Sequence, residues 1–306
     1  MFSSNRPRRE HYVPRVYLEH FGTSLTGFDK RTGNVFTTTS KNVAFEEGFY
    51  DLDPNIDLEG LIAKNERSLM SGIRELIEKS NPTAISSESR AKVSLFVSLQ
   101  FVRTREYREE IKETGGKFLT EIVNSEPRFK GFDFKVVMKE ELAQALQAQA
   151  IVDDTVPKTA WFLGNSRWTL LVNRSKVPFW TSDNPVTLFN PVDYGEAGGL
   201  GFNVRGIQTH FPLNSSLLLL ILDPTSYDMP PIKIVKEDNV DWENELQLYN
   251  ATRFVFSPAR DFSKAKKMWE KDENLRKPHD RIVIHTSEGP RSSFIRTTRN
   301  RTHHPT

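Results

Sequence analysis

The hydrophobic repeat of this chain changes once, near Ser166, and that change limits the fold more than any single motif. Before it, apolar residues recur at three- and four-residue spacing. Leu58, Leu61, Ile62, Leu69, Ile73, Leu76 and Ile77 make one helical stripe, opened by Asp57 as N-cap and closed near Ser80 ahead of Asn81-Pro82. The next run has a Ser-rich opening and is apolar at nearly every position from Val93 to Val102. A helix apolar on most sides is a buried one, with Ser94 and Ser98 small enough to admit a close neighbour. Gly115-Gly116 predicts a break, followed by a shorter helix from Lys117 to Asn124 and another from Lys139 to about Phe162.

After Ser166 the period is two. Trp168–Val172, Phe179–Thr181, Val186–Phe189, Gln208–Pro212 and Leu217–Leu222 are short β-branched and aromatic runs separated by Asn, Pro, Gly and Asp. A helix at Val240–Asn250, a strand at Arg253–Ser257, a helix near Ser263–Glu273 and a strand at Arg281–His285 complete that half. Gly195 to Gly201 reads as a loop. At the N-terminal end, His11 to Phe21 reads as extended, and Phe28 and Val35-Phe36 flank a hairpin turn. The expectation is an α+β fold: a helical layer over about 57–162 packed with a mostly antiparallel sheet over about 166–285, and the N-terminal segment lying on one of them. Residues 10–290 form one compact domain or two packed halves, 10–165 and 166–290.

Among 306 residues there is no cysteine, which removes disulfides, thiolate metal sites and a cysteine nucleophile. No stretch approaches the roughly 18 apolar residues of a membrane helix, so a cytoplasmic protein without a membrane partner is expected. Residues 1–9 carry three Arg and no acid, and residues 291–306 carry four Arg and no acid. Those segments read as flexible basic tails, with a phosphate-binding arm as the sharper alternative. Between them stand 35 basic and 40 acidic side chains, a mildly acidic body that steers DNA poorly. Phosphate loop, dinucleotide fingerprint, zincin and nucleophile-elbow motifs are all missing. The seven His show no metal-ligand spacing.

What remains is a set of polar residues where apolar ones are expected. Glu66 falls on the buried stripe of the first helix, and Gln100 and Arg103 share a face of the buried one. An Arg there pairs with Glu66 or with a bound anion. The Ser182-Asp183-Asn184-Pro185 run forms a tight turn after a strand, in which Asp183 bonds its own backbone or presents a carboxylate. His11 precedes an extended segment and reads first as packing or a backbone hydrogen bond, with a proton carrier as the sharper alternative.

The same residues carry a resemblance. His11-Tyr-Val-Pro14 with Tyr17-Leu18 and Phe21, Phe49-Tyr50, Gln100-x-x-Arg103, Thr181-Ser-Asp-Asn-Pro-Val186, Phe211-Pro-Leu213 and Asn250 before a strand resemble the family called domain of unknown function 4238. The resemblance implies a microbial cytoplasmic protein whose matched polar residues act as one site, and it supplies no reaction. Defence against foreign genetic elements is a setting it makes thinkable.

Three readings follow. In the first, the chain is an enzyme on a phosphate-containing substrate, nucleic acid foremost, cleaving phosphodiesters. Asp183 and Glu66 then hold magnesium or act as base, His11 or His210 moves a proton, and Arg103 steadies the phosphoryl oxygen. In the second, Arg103, Gln100, Asn184, His210 and Asn250 bind a small anionic or nucleotide ligand without catalysis. In the third, all of them form a buried network that fixes packing. Metal dependence and oligomeric state are unspecified.

Overall fold

The computed structural model describes residues 9–47, 58–192, 194 and 200–276. The expected Asp57 cap, the Phe49-Tyr50 pair, the Arg281–His285 strand, most of the Gly195 loop and, Arg9 apart, both basic tails lie outside them.

The chain opens with β1 (Glu10–His11), and Pro14, whose fixed φ suits a helix start, leads into the single turn α1 (Arg15–Leu18). The expected hairpin is β2 (Leu25–Asp29) paired with β3 (Val35–Thr38). Its turn closes because Asp29 Oδ1 accepts the Arg31 N–H at 2.9 Å while Gly33, at φ +74°, donates to Asp29 O at 2.7 Å. The short β4 (Phe45–Glu46) returns antiparallel to β1, setting His11 opposite Phe45.

The helical layer contains α2 (Leu58–Lys79), α3 (Ser87–Val102), α4 (Arg105–Ser125), α5 (Glu140–Val152) and α6 (Thr155–Asn165). Helix α3 lies between α2 and α6. The small residues set this spacing: a Cβ on Gly72 would stand 2.7 Å from Ser89 O, and one on Gly164 would stand 3.3 Å from Ser94 Oγ. Ser98 donates to Val156 O at 2.8 Å.

Two breaks differ from expectation. Gly115-Gly116 does not interrupt the chain; α4 runs through it, because Met138 and Val136 pack where their side chains would be. The break falls instead at Arg103-Thr104, where Thr104 caps α4 by accepting the Tyr107 N–H. The expected Lys139–Phe162 helix is split at Asp153-Asp154, and Pro157 falls in the first turn of α6, where its missing N–H costs nothing.

The strands are β5 (Arg167–Asn173), β6 (Thr181–Ser182), β7 (Thr187–Phe189), β8 (Gln208–Pro212), β9 (Leu217–Leu222) and β10 (Ile232–Val235). They are followed by α7 (Glu237–Asn250), β11 (Phe254–Ser257) and α8 (Ser263–Lys271). They make two larger sheets rather than one, ordered β10-β5-β9-β8-β7 and β3-β2-β11-β6. The fold is α+β and mostly antiparallel; β10, not expected from the sequence, is parallel to β5. The N-terminal hairpin does not lie on a sheet but belongs to one, through β2 and β11.

The main core joins helices to the five-stranded sheet. The Tyr17 ring stacks on Phe211 at 5.1 Å and touches Phe96, and its hydroxyl donates to Pro212 O at 2.7 Å. A second core of Phe28, Trp180, Leu248 and Phe262 fills the space between the four-stranded sheet, α7 and α8. No described helix is long and apolar enough to cross a membrane.

Candidate functional site

Two polar clusters meet at the His11-Tyr12 segment. The first is built on the end of α3. Gln100 and Arg103 are one helical turn apart, so Arg103 Nε donates to Gln100 Oε1 at 2.9 Å while Gln100 Nε2 donates to Tyr12 O at 3.0 Å. From α2, Glu66 Oε1 meets Arg103 Nη1 at 2.5 Å. Arg103 is 1% exposed and the Glu66 side chain 20%, so the chain of contacts runs from the interior toward solvent.

His11 stands in the electrostatic fields of both Glu66 and Arg103. Burial lowers its pKa below the ordinary value, against the raising effects of nearby backbone groups of Lys41 and Ser40 and of Glu66. Its ring packs against Phe45 at 5.6 Å, and its Nε2 is buried without a hydrogen-bond partner among the described residues.

The second cluster is built on the turn after β6. Asp183 does not bond its own turn. Ser182 does that, accepting the Asn184 N–H at 3.2 Å, and Asp183 is left to reach across to the segment between α7 and β11. There Oδ1 accepts the Thr252 N–H at 2.8 Å, and Oδ2 accepts those of Arg253 and Phe254 at 2.8 and 2.9 Å. Asn184 Nδ2 donates to Asn250 O at 3.0 Å, and Ser182 Oγ donates to Gln247 Oε1 at 2.8 Å. Lys30, buried in the hairpin turn, donates to Ala251 O at 2.5 Å; Thr252 Oγ1 donates to Glu106 Oε2 at 2.8 Å.

Burial pushes the Asp183 carboxyl up to about 6, helped by the Glu106 charge and opposed by the backbone N–H donors and Lys30.

Tyr12 links the two clusters. Its carbonyl is held by Gln100, and its buried phenol, whose pKa burial raises, feels Asp183, Arg105, Glu46 and Arg108. Arg108 in turn bridges Glu46 and Glu140, each at 2.8 Å.

The structure thus gathers His11, Glu66, Gln100 and Arg103 in one cluster and Asp183, Asn184 and Asn250 in the other. His210 joins neither; on β8 it faces α7, with Nδ1 2.7 Å from Glu243 Oε2. Among the described residues no group of three or more His, Asp or Glu is placed to hold a metal ion. Glu66 is turned to Arg103 and both Asp183 oxygens to backbone donors, so a magnesium ion shared by these two carboxylates does not match the geometry.

Tyr12, Lys30, Glu106 and Thr252 belong to the arrangement and were not singled out from sequence. Tyr12 lies inside the His-Tyr-Val-Pro motif and could have been found there. The other three carry no local signal, because their partners are more than a hundred positions away.

The model of one protein family, described as Protein of unknown function (DUF4238), matches residues 9–261. No curated protein and no solved structure matches the chain.

Proposed function

The chain belongs to the DUF4238 family, and on that premise we propose that it is a hydrolase of a phosphate-containing substrate, nucleic acid foremost, with His11 as the proton-moving group. The observation that carries this reading is the His11 ring: its Nε2 has no hydrogen-bond partner among the described residues, and it lies beside the Glu66–Arg103 pair. A histidine whose pKa is lowered is neutral at pH 7 and ready to accept a proton from an attacking hydroxyl. Arg103 then exchanges part of its contact with Glu66 for a phosphoryl oxygen, which a guanidinium fork suits. Asp183 serves as scaffold in this reading. The setting that goes with it is cytoplasmic, and defence against foreign nucleic acid is the biological role to examine.

The test is cleavage of single-stranded RNA and DNA by purified protein. His11→Gln should lower the rate by about 100-fold or more while the thermal unfolding curve is kept. The rate should climb with pH through a midpoint below the ordinary 6.5 of histidine, because the depressed group is the one that must lose its proton. An unchanged rate in His11→Gln, or no cleavage of either polymer, defeats the reading.

A second reading, a non-catalytic binder of a small anion or nucleotide, is favoured by the full commitment of the Asp183 oxygens to backbone donors. It is supported instead if a nucleotide raises the unfolding temperature without turnover and the rise is lost in Arg103→Met.

A further inference from the structure

On another part of the molecule, the turn after α1, the end of β5 and the β8–β9 turn enclose an open hollow of about 460 Å³, walled by His20, Asn173, Arg174, Asn214, Ser215 and Ser216. The two amides are used to hold the walls. Asn214 Oδ1 accepts the N–H groups of Ser216 and Leu217 at 2.8 and 2.9 Å, and Asn173 Nδ2 donates to Val177 O at 2.7 Å.

What these contacts leave over is donors: the Arg174 guanidinium and the hydroxyls of Ser215 and Ser216. Among the described residues Arg174 has no carboxylate partner, and no acidic side chain lines the hollow. Arg74 adds positive field at His20 from α2, and the nearby Glu19 carboxylate is held by Arg15 Nε at 2.7 Å.

His20 contributes the opposite polarity. Its ring bonds the Leu213 backbone, and Nδ1 is buried without a partner among the described residues. With the ring N–H assigned to the Leu213 carbonyl, Nδ1 is a lone pair that needs a donor.

We propose that this hollow binds a small phosphate monoester that also carries a hydroxyl, such as a sugar phosphate, with Arg174, Ser215 and Ser216 on the phosphate and His20 Nδ1 accepting from the hydroxyl after a small turn of the ring. The oxyanion takes the charge-assisted donors, and the hydroxyl relieves a nitrogen that otherwise loses hydration for nothing. The site shares no residue with the His11 cluster and stands whether or not that cluster is catalytic.

Calorimetric titration of the purified full chain with ribose 5-phosphate, inorganic phosphate and ribose tests it. The sugar phosphate should bind, phosphate should bind about tenfold more weakly, and ribose should give no heat. Arg174→Ala, an exposed position with little bearing on folding, should weaken ribose 5-phosphate about tenfold or more, and His20→Gln should bring it to the level of phosphate alone. His11→Gln should leave it unchanged. Affinity for ribose 5-phosphate that is the same in Arg174→Ala as in the parent, is lost only in His11→Gln, or is absent throughout overturns the proposal.

Discussion

At the scale of the residue, Asp183 and the Glu66–Arg103 pair make separate predictions. Asp183→Asn replaces one carboxylate oxygen by an amide N–H, so either the Thr252 N–H or those of Arg253 and Phe254 lose their acceptor. The expected cost is about 2–4 kcal/mol in urea unfolding at pH 7. The sign of the pH effect is fixed by a folded-state pKa near 6 against an ordinary 3.8. Such a group contributes stability that is full below the unfolded value and lost as pH rises through the folded one. The parent should therefore lose stability relative to Asp183→Asn between about pH 4 and 6. The comparison must be a difference, since Asp29, Asp223 and Glu140, whose pKa values are lowered, act in the other direction in both proteins. In the other cluster, Glu66→Ala takes the carboxylate away from a buried guanidinium that keeps its bond to Gln100, whereas Arg103→Met leaves a carboxylate that water reaches. Glu66→Ala should be the more damaging by about 1–2 kcal/mol, as read from urea midpoints. The sequence made Glu66, Arg103 and Asp183 visible because each breaks a local pattern. It hid what they touch, because spacing along a helix or in a turn says nothing of a segment seventy positions away.

At the scale of the element, the helices are legible where the apolar stripe is strong, and glycine misleads when it is read as punctuation. Gly72 and Gly115 are both helical, yet they should respond oppositely to alanine. A Cβ on Gly72 meets the backbone oxygen of Ser89 at 2.7 Å and cannot be accommodated without separating α2 from α3. Gly72→Ala should lower stability by about 1–3 kcal/mol. A Cβ on Gly115 meets only the flexible end of the Met138 side chain, its methyl and Sδ, which can swing away, so the gain in helix propensity dominates. Gly115→Ala should be neutral or stabilise by up to about 1 kcal/mol. Thermal unfolding of the two variants beside the parent decides it. Most strands fell where the short β-branched and aromatic runs placed them, but β7, β8 and β9 are buried almost throughout rather than on alternate residues; β10 escaped because it is a short edge strand whose first three residues are exposed.

At the scale of the whole molecule, the layers are legible in the spacing of apolar residues and the way they are closed is not. Nothing in the spacing of Leu25–Asp29 indicates that its second neighbour is Phe254–Ser257, yet that pairing completes the four-stranded sheet and presents Thr252 and Arg253 to Asp183. A chain ending at Thr252 should lack cooperative unfolding by circular dichroism and fluorescence, although it keeps every helix of the middle layer. The same pairing sets a schedule at the ribosome. The β2 backbone emerges with one flank unsatisfied, and its partner strand is translated more than 220 positions later, Asp29 facing Phe254 and Thr26 facing Ser257. Throughout that interval the free flank of β2 is an unpaired strand edge, the kind of edge that invites pairing with neighbouring copies.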